Sequence, residues 1–157
     1  MNLKPLTKAN SPTVKQWLIG DPSGRQFMSE YENIEKIFEL LNINRKFWIL
    51  HDINIPVGFI DLEIDDSKGY FSFYIAPDFR GKDFSSKLLN LLEKKALELS
   101  VTSLLGCVEL DNIVSVKSLK KAGYASSGNL DKHGLAEFSK NFRKQKNPLA
   151  FARGLSI

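Results

Sequence analysis

The chain alternates between stretches with an apolar period near 2 and stretches with a period near 3.6, the signatures of half-buried strands and of amphipathic helices. Residues 3–6 form a short candidate strand. SPTVKQWLIG (11–20) predicts a helix capped by Ser11, with Pro12 in its first turn and Gly20 as its stop. MSEYENIEKIFELLNIN (28–44) sets Tyr31, Ile34, Ile37, Phe38 and Leu41 on one helical face and Glu and Lys on the other, so it predicts a single second helix. KFWILHD (46–52) and PVGFIDLEI (56–64) are apolar or alternating runs separated by Asp52, Asn54 and Pro56, which predicts a hairpin. GYFSFYIA (69–76) follows the turn DDSKG as a third meandering strand, ended by Pro77 because proline cannot donate to a ladder.

Residues 84–100 carry the longest helical pattern. Phe84, Leu88, Leu91, Leu92, Ala96 and Leu99 form one stripe, with Lys87, Asn90 and Lys94 opposite. SLLGCVEL (103–110) comes soon after and reads as a strand, so 70–110 predicts a right-handed strand–helix–strand crossover and hence a mixed sheet. SVKSLKKAG (115–123) predicts a short helix stopped by Gly123, and YASSGNL and LAEFSKNF predict two last strands around the turn DKHG. At 157 residues the chain suits one domain with one sizeable core. We expect that domain to be 1–142, followed by a basic tail, 143–157, with no acidic residue after Glu137.

Charge adds a mild preference. A formal +4 favours anionic partners and disfavours polycationic ones, although charge of this size also serves solubility. Cys107 is the only cysteine, which excludes an intrachain disulfide or a cysteine metal cluster and fits a reducing compartment, the cytoplasm. No apolar run approaches the ~20 residues that span a bilayer, and no signal-like segment opens the chain, so no membrane partner is expected. A nucleic-acid partner would rest on the basic tail alone and is disfavoured; homodimerisation stays open.

The candidate chemistry sits in YIAPDFRGKDFSSKLL (74–89), a strand, a proline, a basic turn and the start of the long helix. A helix N-terminus presents unpaired N–H groups and partial positive charge, and a turn leading into it can wrap a diphosphate. Arg80, Gly81, Lys82, Asp83, Phe84, Ser85 and Ser86 are placed to do so. The competing reading has Asp83 capping the helix and Ser85 and Ser86 filling its first turn.

This segment resembles the acyl-CoA pyrophosphate loop of the GCN5-related N-acetyltransferase (GNAT) superfamily: Arg or Gln, two residues, Gly, one residue, Gly or Ala. NIVSVKSLKKAGY (112–124) resembles the Asn-x-x-Ser-x-x-x-Leu-x-Lys-x-Gly-Phe helix of the branch that acetylates ribosomal-protein N-termini and related amines, and WLIGDP (17–22) is similar to a Trp-Leu-x-Asp-Pro stretch often found there. The resemblance spans nearly the whole chain. It implies an α/β GNAT fold, a mixed, mostly antiparallel sheet of about seven strands with helices on both faces. It also implies acetyl-CoA (coenzyme A) as cosubstrate and a small-molecule or peptide amine as acceptor.

Asp83 stands where the motif has its first glycine. A carboxylate ~5 Å from the diphosphate would weaken binding by up to about two orders of magnitude, with Arg80 and Lys82 compensating. The resemblance gives Asn112 to the pantetheine arm, Ser115 to the sulfur, and the backbone N–H near Ile75 to the carbonyl oxygen. Locally, Asn112 could equally be a turn residue and Ser115 a helix cap. Leu119 occupies the place of a tyrosine that in many members protonates the thiolate; a thiol ionising near ~8.5 leaves tolerably without it. The amine is harder, since an alkylammonium of pKa ~10.4 is mostly protonated at pH 7, a cost near 4 to 5 kcal/mol. Glu109 is the first candidate base, with Glu63 and Asp61 as alternatives, each otherwise an ordinary solvated carboxylate. Tyr70 stands where some relatives have glutamate, His133 is expected to be exposed, and Cys107 to be a small core residue. The expected function is direct acetyl transfer to a primary amine; the alternative is an acyl-CoA-binding sensor without turnover.

Overall fold

The computed structural model describes residues 1–142; the expected tail, 143–157, lies outside the described residues. Seven strands form one sheet in the order β1-β2-β3-β4-β5-β7-β6. They are β1 (Asn2–Pro5), β2 (Arg45–Asp52), β3 (Ile55–Asp65), β4 (Lys68–Ile75), β5 (Ser103–Val108), β6 (Ala125–Leu130) and β7 (Ala136–Asn141). Only β4 and β5 pair in parallel; every other pairing is antiparallel. The expected mixed sheet is therefore present, and the long helix α4 (Phe84–Glu98) makes the crossover.

Alternation along the central strands explains why both faces are covered. On β2, Trp48 and Leu50 pack toward Leu88, Leu89, Leu92 and Ala96 of α4, while Phe47 and Ile49 pack toward Val14 and Leu18 of α1 (Ser11–Ile19) and Ile34 and Ile37 of α3 (Ile34–Leu40). A strand buried on both sides reads as a continuous apolar run, as FWIL does. The hairpin between β2 and β3 turns through Ile53 and Asn54, both with positive φ (46° and 66°), the conformation that a tight two-residue turn requires.

Several boundaries differ from the pattern reading. The single helix expected over 28–44 is reduced to a 3₁₀ turn at Ser29–Tyr31 and α3, and a short helix, α2 (Pro22–Phe27), precedes it where none was expected. Tyr31 is only 1% exposed and donates its hydroxyl to Asp61 on β3 at 2.8 Å, which pulls this segment onto the sheet and interrupts the helix. Asn10, not Ser11, precedes α1; its side chain accepts from Thr7 N–H, and the Ser11 hydroxyl donates to the Lys8 carbonyl. Helix α4 ends at Glu98 because Ser100 turns left-handed (φ 62°) and Val101 N–H closes on the Ala96 carbonyl at 2.8 Å, so Leu99 lies at the margin of the stripe and Leu89 takes a core place instead. Helix α5 (Ile113–Lys121) starts two residues earlier than expected, with Asn112 as its cap, and stops at Gly123, where φ of 91° suits glycine.

Candidate functional site

A cleft opens where the sheet stops being a sheet. Parallel pairing of β4 with β5 ends at Phe71 and Gly106, yet β4 runs on to Ile75 and β5 to Val108. Ala76 N–H donates to the Val57 carbonyl at 2.9 Å, so Ala76 faces β3. Antiparallel ladders alternate, and the peptide groups of Ile75 therefore face the opposite, unpaired edge. The Ile75 carbonyl is taken there by Arg80 Nε at 2.9 Å; its N–H points into the cleft.

The loop from Pro77 then leads into α4. Gly81 has φ of 75° with nothing within 4 Å of where a Cβ would stand, so its backbone is open to close approach. Asp83 precedes α4 in the left-handed conformation (φ 67°), one of the few non-glycine types that tolerates it, and makes no side-chain cap. Its carboxylate instead accepts from Lys121 Nζ of α5 at 2.9 Å, and that bond, with one from Ser86, holds its pKa below the usual carboxylate value. The side-chain cap of the competing reading is thus absent. The first-turn N–H groups of α4 stay available, and the charge expected to oppose a diphosphate is paired sideways with a lysine.

The side chains of this loop are placed differently from the simplest expectation. Arg80 is turned inward: Nη2 donates to Asp21 Oδ2 at 2.7 Å and the guanidinium lies 5.3 Å from the Tyr74 ring centroid. Ser85 Oγ meets Ser118 Oγ of α5 at 3.0 Å, and because Ser118 donates to the Val114 carbonyl, Ser85 is the donor between them. Lys82 is exposed with its ammonium 5.9 Å from the Phe79 ring centroid, and neither it nor Ser86 lines the cleft. What this loop offers a ligand is mainly backbone.

Asp21 is the hub that sequence reasoning did not find. It is 5% exposed and accepts from Gly24 N–H (3.0 Å), Tyr74 Oη (2.6 Å) and Arg80 Nη2 (2.7 Å), so it caps α2, anchors β4 and fixes the loop at once. Burial pushes its carboxyl pKa up, and the hydrogen bonds from Tyr74, Arg80 and Gly24 more than reverse this, leaving it below the usual value. Burial and then Asp21 push the Tyr74 phenol well above its usual value. The signal in the sequence was Asp21-Pro22, a cap followed by proline at the first helical position.

Two connected cavities flank the end of the β4–β5 ladder and share Phe27, Met28, Phe73, Asn112 and Ser115. The smaller, about 170 Å³, runs along Ile75, Arg80, Gly81, Asp83, Phe84 and Ser85 to α5. The larger, about 450 Å³, lies on the face of Asp61, Glu63, Tyr70 and Glu109. Asn112 caps α5 by accepting from Ser115 N–H at 3.3 Å, which leaves its NH2 group without a partner among the described residues. Ser115 is therefore not the cap; it stands in the first turn, where both cavities meet.

The remaining candidates separate cleanly. Asp61, expected to be solvated, is 5% exposed and held by Arg45 Nε (2.9 Å), Arg45 Nη2 (2.5 Å) and Tyr31, so its lone pairs are committed and it is not a free base. Burial, then Asp61 and Glu30, push the Tyr31 phenol well above its usual value. Glu63 is exposed and 4.0 Å from Arg45 Nη1, and Glu109 lines the larger cavity near Asn112 and Ser115. Leu119 is buried and carries no proton to give. Cys107, expected in the core, is exposed on the cavity side; alternation on β5 sends Leu104 and Val108 inward and Cys107 outward. Burial and the neighbouring Asp131 and Glu137 push its thiol pKa up. His133 is exposed in its turn and absent from the lining.

The sequence model of the acetyltransferase (GNAT) family matches residues 12–124. No curated protein matches the chain. Among solved structures, spermidine N-acetyltransferase from Vibrio cholerae with CoA and spermine is similar at TM-score 0.79 and 16% identity, covering 91% of this chain and 96% of that one. RimL, a ribosomal L7/L12 alpha-N-protein acetyltransferase in complex with coenzyme A, is similar at 0.79 and 13%, covering 91% and 94%. Aminoglycoside acetyltransferase AAC(6')-Ib in complex with coenzyme A is similar at 0.76 and 16%, covering 97% of both chains. At these identities the likeness is one of fold.

Proposed function

The chain belongs to the acetyltransferase (GNAT) family, whose cosubstrate is acetyl-CoA, and from that premise we propose that it transfers an acetyl group from acetyl-CoA to a primary amine by direct attack. One observation carries the proposal: the unpaired N–H of Ile75 and the uncapped N-terminus of α4 open onto the same cleft. The residues fit the ligand. Gly81 admits close backbone approach, Asp83 is drawn aside by Lys121, and the 15-residue helix behind them directs its positive end at the loop. Acetyl-CoA would supply the thioester that the amine attacks.

In this reading the N–H groups of residues 81–86 hold the diphosphate, and the Asn112 NH2 holds the pantetheine arm. Arg80 acts as a positioning residue through Asp21 and Ile75 rather than as a phosphate ligand. Ile75 N–H donates to the carbonyl oxygen as negative charge grows on it, a preorganised donor of the kind usually worth the most in acyl transfer. The Ser115 hydroxyl donates to the sulfur, making up for the missing phenol at Leu119. Glu109 takes the proton from the incoming ammonium, directly or through water. The spacing Asn112, Ser115, Leu119, Lys121, Gly123 on α5 supports the branch that acetylates ribosomal-protein N-termini and related amines.

The test is thiol release from acetyl-CoA across peptide N-termini, polyamines, aminoglycosides and amino sugars, with the acetylated amine identified by mass. Turnover with at least one class is expected. Saturable coenzyme A binding with no turnover on any class would overturn transfer and favour the sensor reading.

A further inference from the structure

The chain carries a formal +4, yet the larger cavity is lined by five carboxylates, Glu30, Asp61, Glu63, Glu109 and Asp131, and by a single cation, Arg45. Arg45 is spent on Asp61 and only grazes Glu63 at 4.0 Å. Glu30, Glu109 and Asp131 have no cationic partner within ion-pair distance among the described residues. Local and global charge thus have opposite sign. Asp131 is fixed in place by accepting from the His133 and Leu135 N–H groups at 2.8 Å each. Between these carboxylates the wall carries apolar side chains, among them Phe27, Phe73 and Leu135, together with Ser72, Asn112 and Ser115.

The strand register gives these charges a scale. Tyr70 lies directly opposite Glu63 on the neighbouring strand and is 39% exposed, an aromatic face beside a carboxylate, which is how an ammonium is held. Along β4 this pair stands five residues before Ile75, roughly 16 Å at ~3.3 Å per residue. Glu109 is at the other end, beside Asn112 and Ser115.

Resting on the proposed acetyl transfer, we infer that the acceptor is a linear aliphatic polyamine. Its attacked amine sits at Glu109 and Ser115, its methylenes run past Phe27, Phe73 and Leu135, and a distal ammonium reaches Glu63 and Tyr70. The mild preference against polycations read from net charge is reversed here by the lining. A neutral peptide would leave the carboxylates unused.

The experiment compares acetyl transfer to spermidine, n-butylamine and a neutral tripeptide, with acetyl-CoA, at low and high salt. Spermidine is expected to exceed both others at least tenfold in kcat/KM at ~20 mM salt, the advantage shrinking as salt screens it. Glu63→Gln, at an exposed position that spares the fold, and Tyr70→Ala should each cut the spermidine-to-butylamine ratio several-fold. Equal efficiency for the three acceptors, a preference for the tripeptide, or a ratio untouched by Glu63→Gln overturns the inference while leaving acetyl transfer standing. If no amine is acetylated, calorimetric titration of spermidine into the protein decides the inference by itself: saturable binding weakened by Glu63→Gln supports it, and its absence overturns it.

Discussion

Replacing Asp21 by alanine removes three acceptor interactions from one buried atom group. Losing the cap to Gly24 N–H costs about 1 kcal/mol. The Tyr74 hydroxyl, on a side chain only 4% exposed, is left unsatisfied, at about 1 to 3 kcal/mol. The Arg80 bond adds less, roughly 0.5 to 1 kcal/mol, because that guanidinium is 37% exposed and screened by water. The total, about 2.5 to 5 kcal/mol, is a large share of the roughly 5 to 15 kcal/mol that holds a domain folded. With a urea slope of about 2 kcal/mol per molar, the midpoint should fall by roughly 1.2 to 2.5 M, Tyr74→Phe should cost less, and Asp21→Asn should lie between. Because Asp21 and Arg80 act as a unit on the loop, Asp21→Ala and Arg80→Ala should both weaken coenzyme A, and the double variant should be less than additive by about 1 kcal/mol. Two outcomes would refute this reasoning. One is an Asp21→Ala loss under about 1 kcal/mol; the other is additive effects, with Arg80→Ala alone abolishing coenzyme A binding at unchanged stability, which would make Arg80 a phosphate ligand.

Other consequences are as direct. Asp21 has a folded pKa below its unfolded value near ~3.9, so its stabilisation is complete above that value and lost as pH falls through the lower folded one; acid denaturation monitored by circular dichroism should therefore be shallower for Asp21→Asn than for the wild type. Lys121→Ala frees the Asp83 carboxylate beside the loop and should weaken coenzyme A about three- to tenfold by calorimetry, with Asp83→Asn in the same background restoring most of it. Ser115→Ala should lower kcat for thiol release about tenfold or more with little change in coenzyme A affinity, since its hydroxyl acts on the departing sulfur. Cys107→Ser should keep turnover within about threefold, because direct attack needs no acyl-cysteine; loss of activity with acyl-enzyme seen in the wild type would contradict this.

The order of elements was legible because each central strand and α4 carry a strong period, and the glycine at 123 and the proline at 77 punctuate them. Neither α2 nor the break between the 3₁₀ turn at Ser29–Tyr31 and α3 was legible. Helical spacing from Tyr31 to Leu41 is satisfied by one helix, and only the hydrogen bond from Tyr31 to a strand thirty residues away favours interruption. The phosphate loop was visible as a helix start after a basic turn, but the direction of its side chains was not: Arg80 finds Asp21 across 59 residues of chain, and Asp83 finds Lys121 across 38. Such long-range ion pairs leave no local period. Cys107 shows the opposite error, where residue type suggested the core and strand parity put the thiol on the cavity face. The acidic wall is assembled from the 3₁₀ turn between α2 and α3, β3, the residue after β5 and the β6–β7 turn, so chain-wide charge concealed it.

The central claim is that the uncapped N-terminus of α4, reached through Gly81, seats the diphosphate of coenzyme A. Calorimetric titration of coenzyme A into the protein tests it most directly: saturable heat with one equivalent bound, weakened by Lys121→Ala, is the expected result, and no heat at millimolar coenzyme A would contradict it.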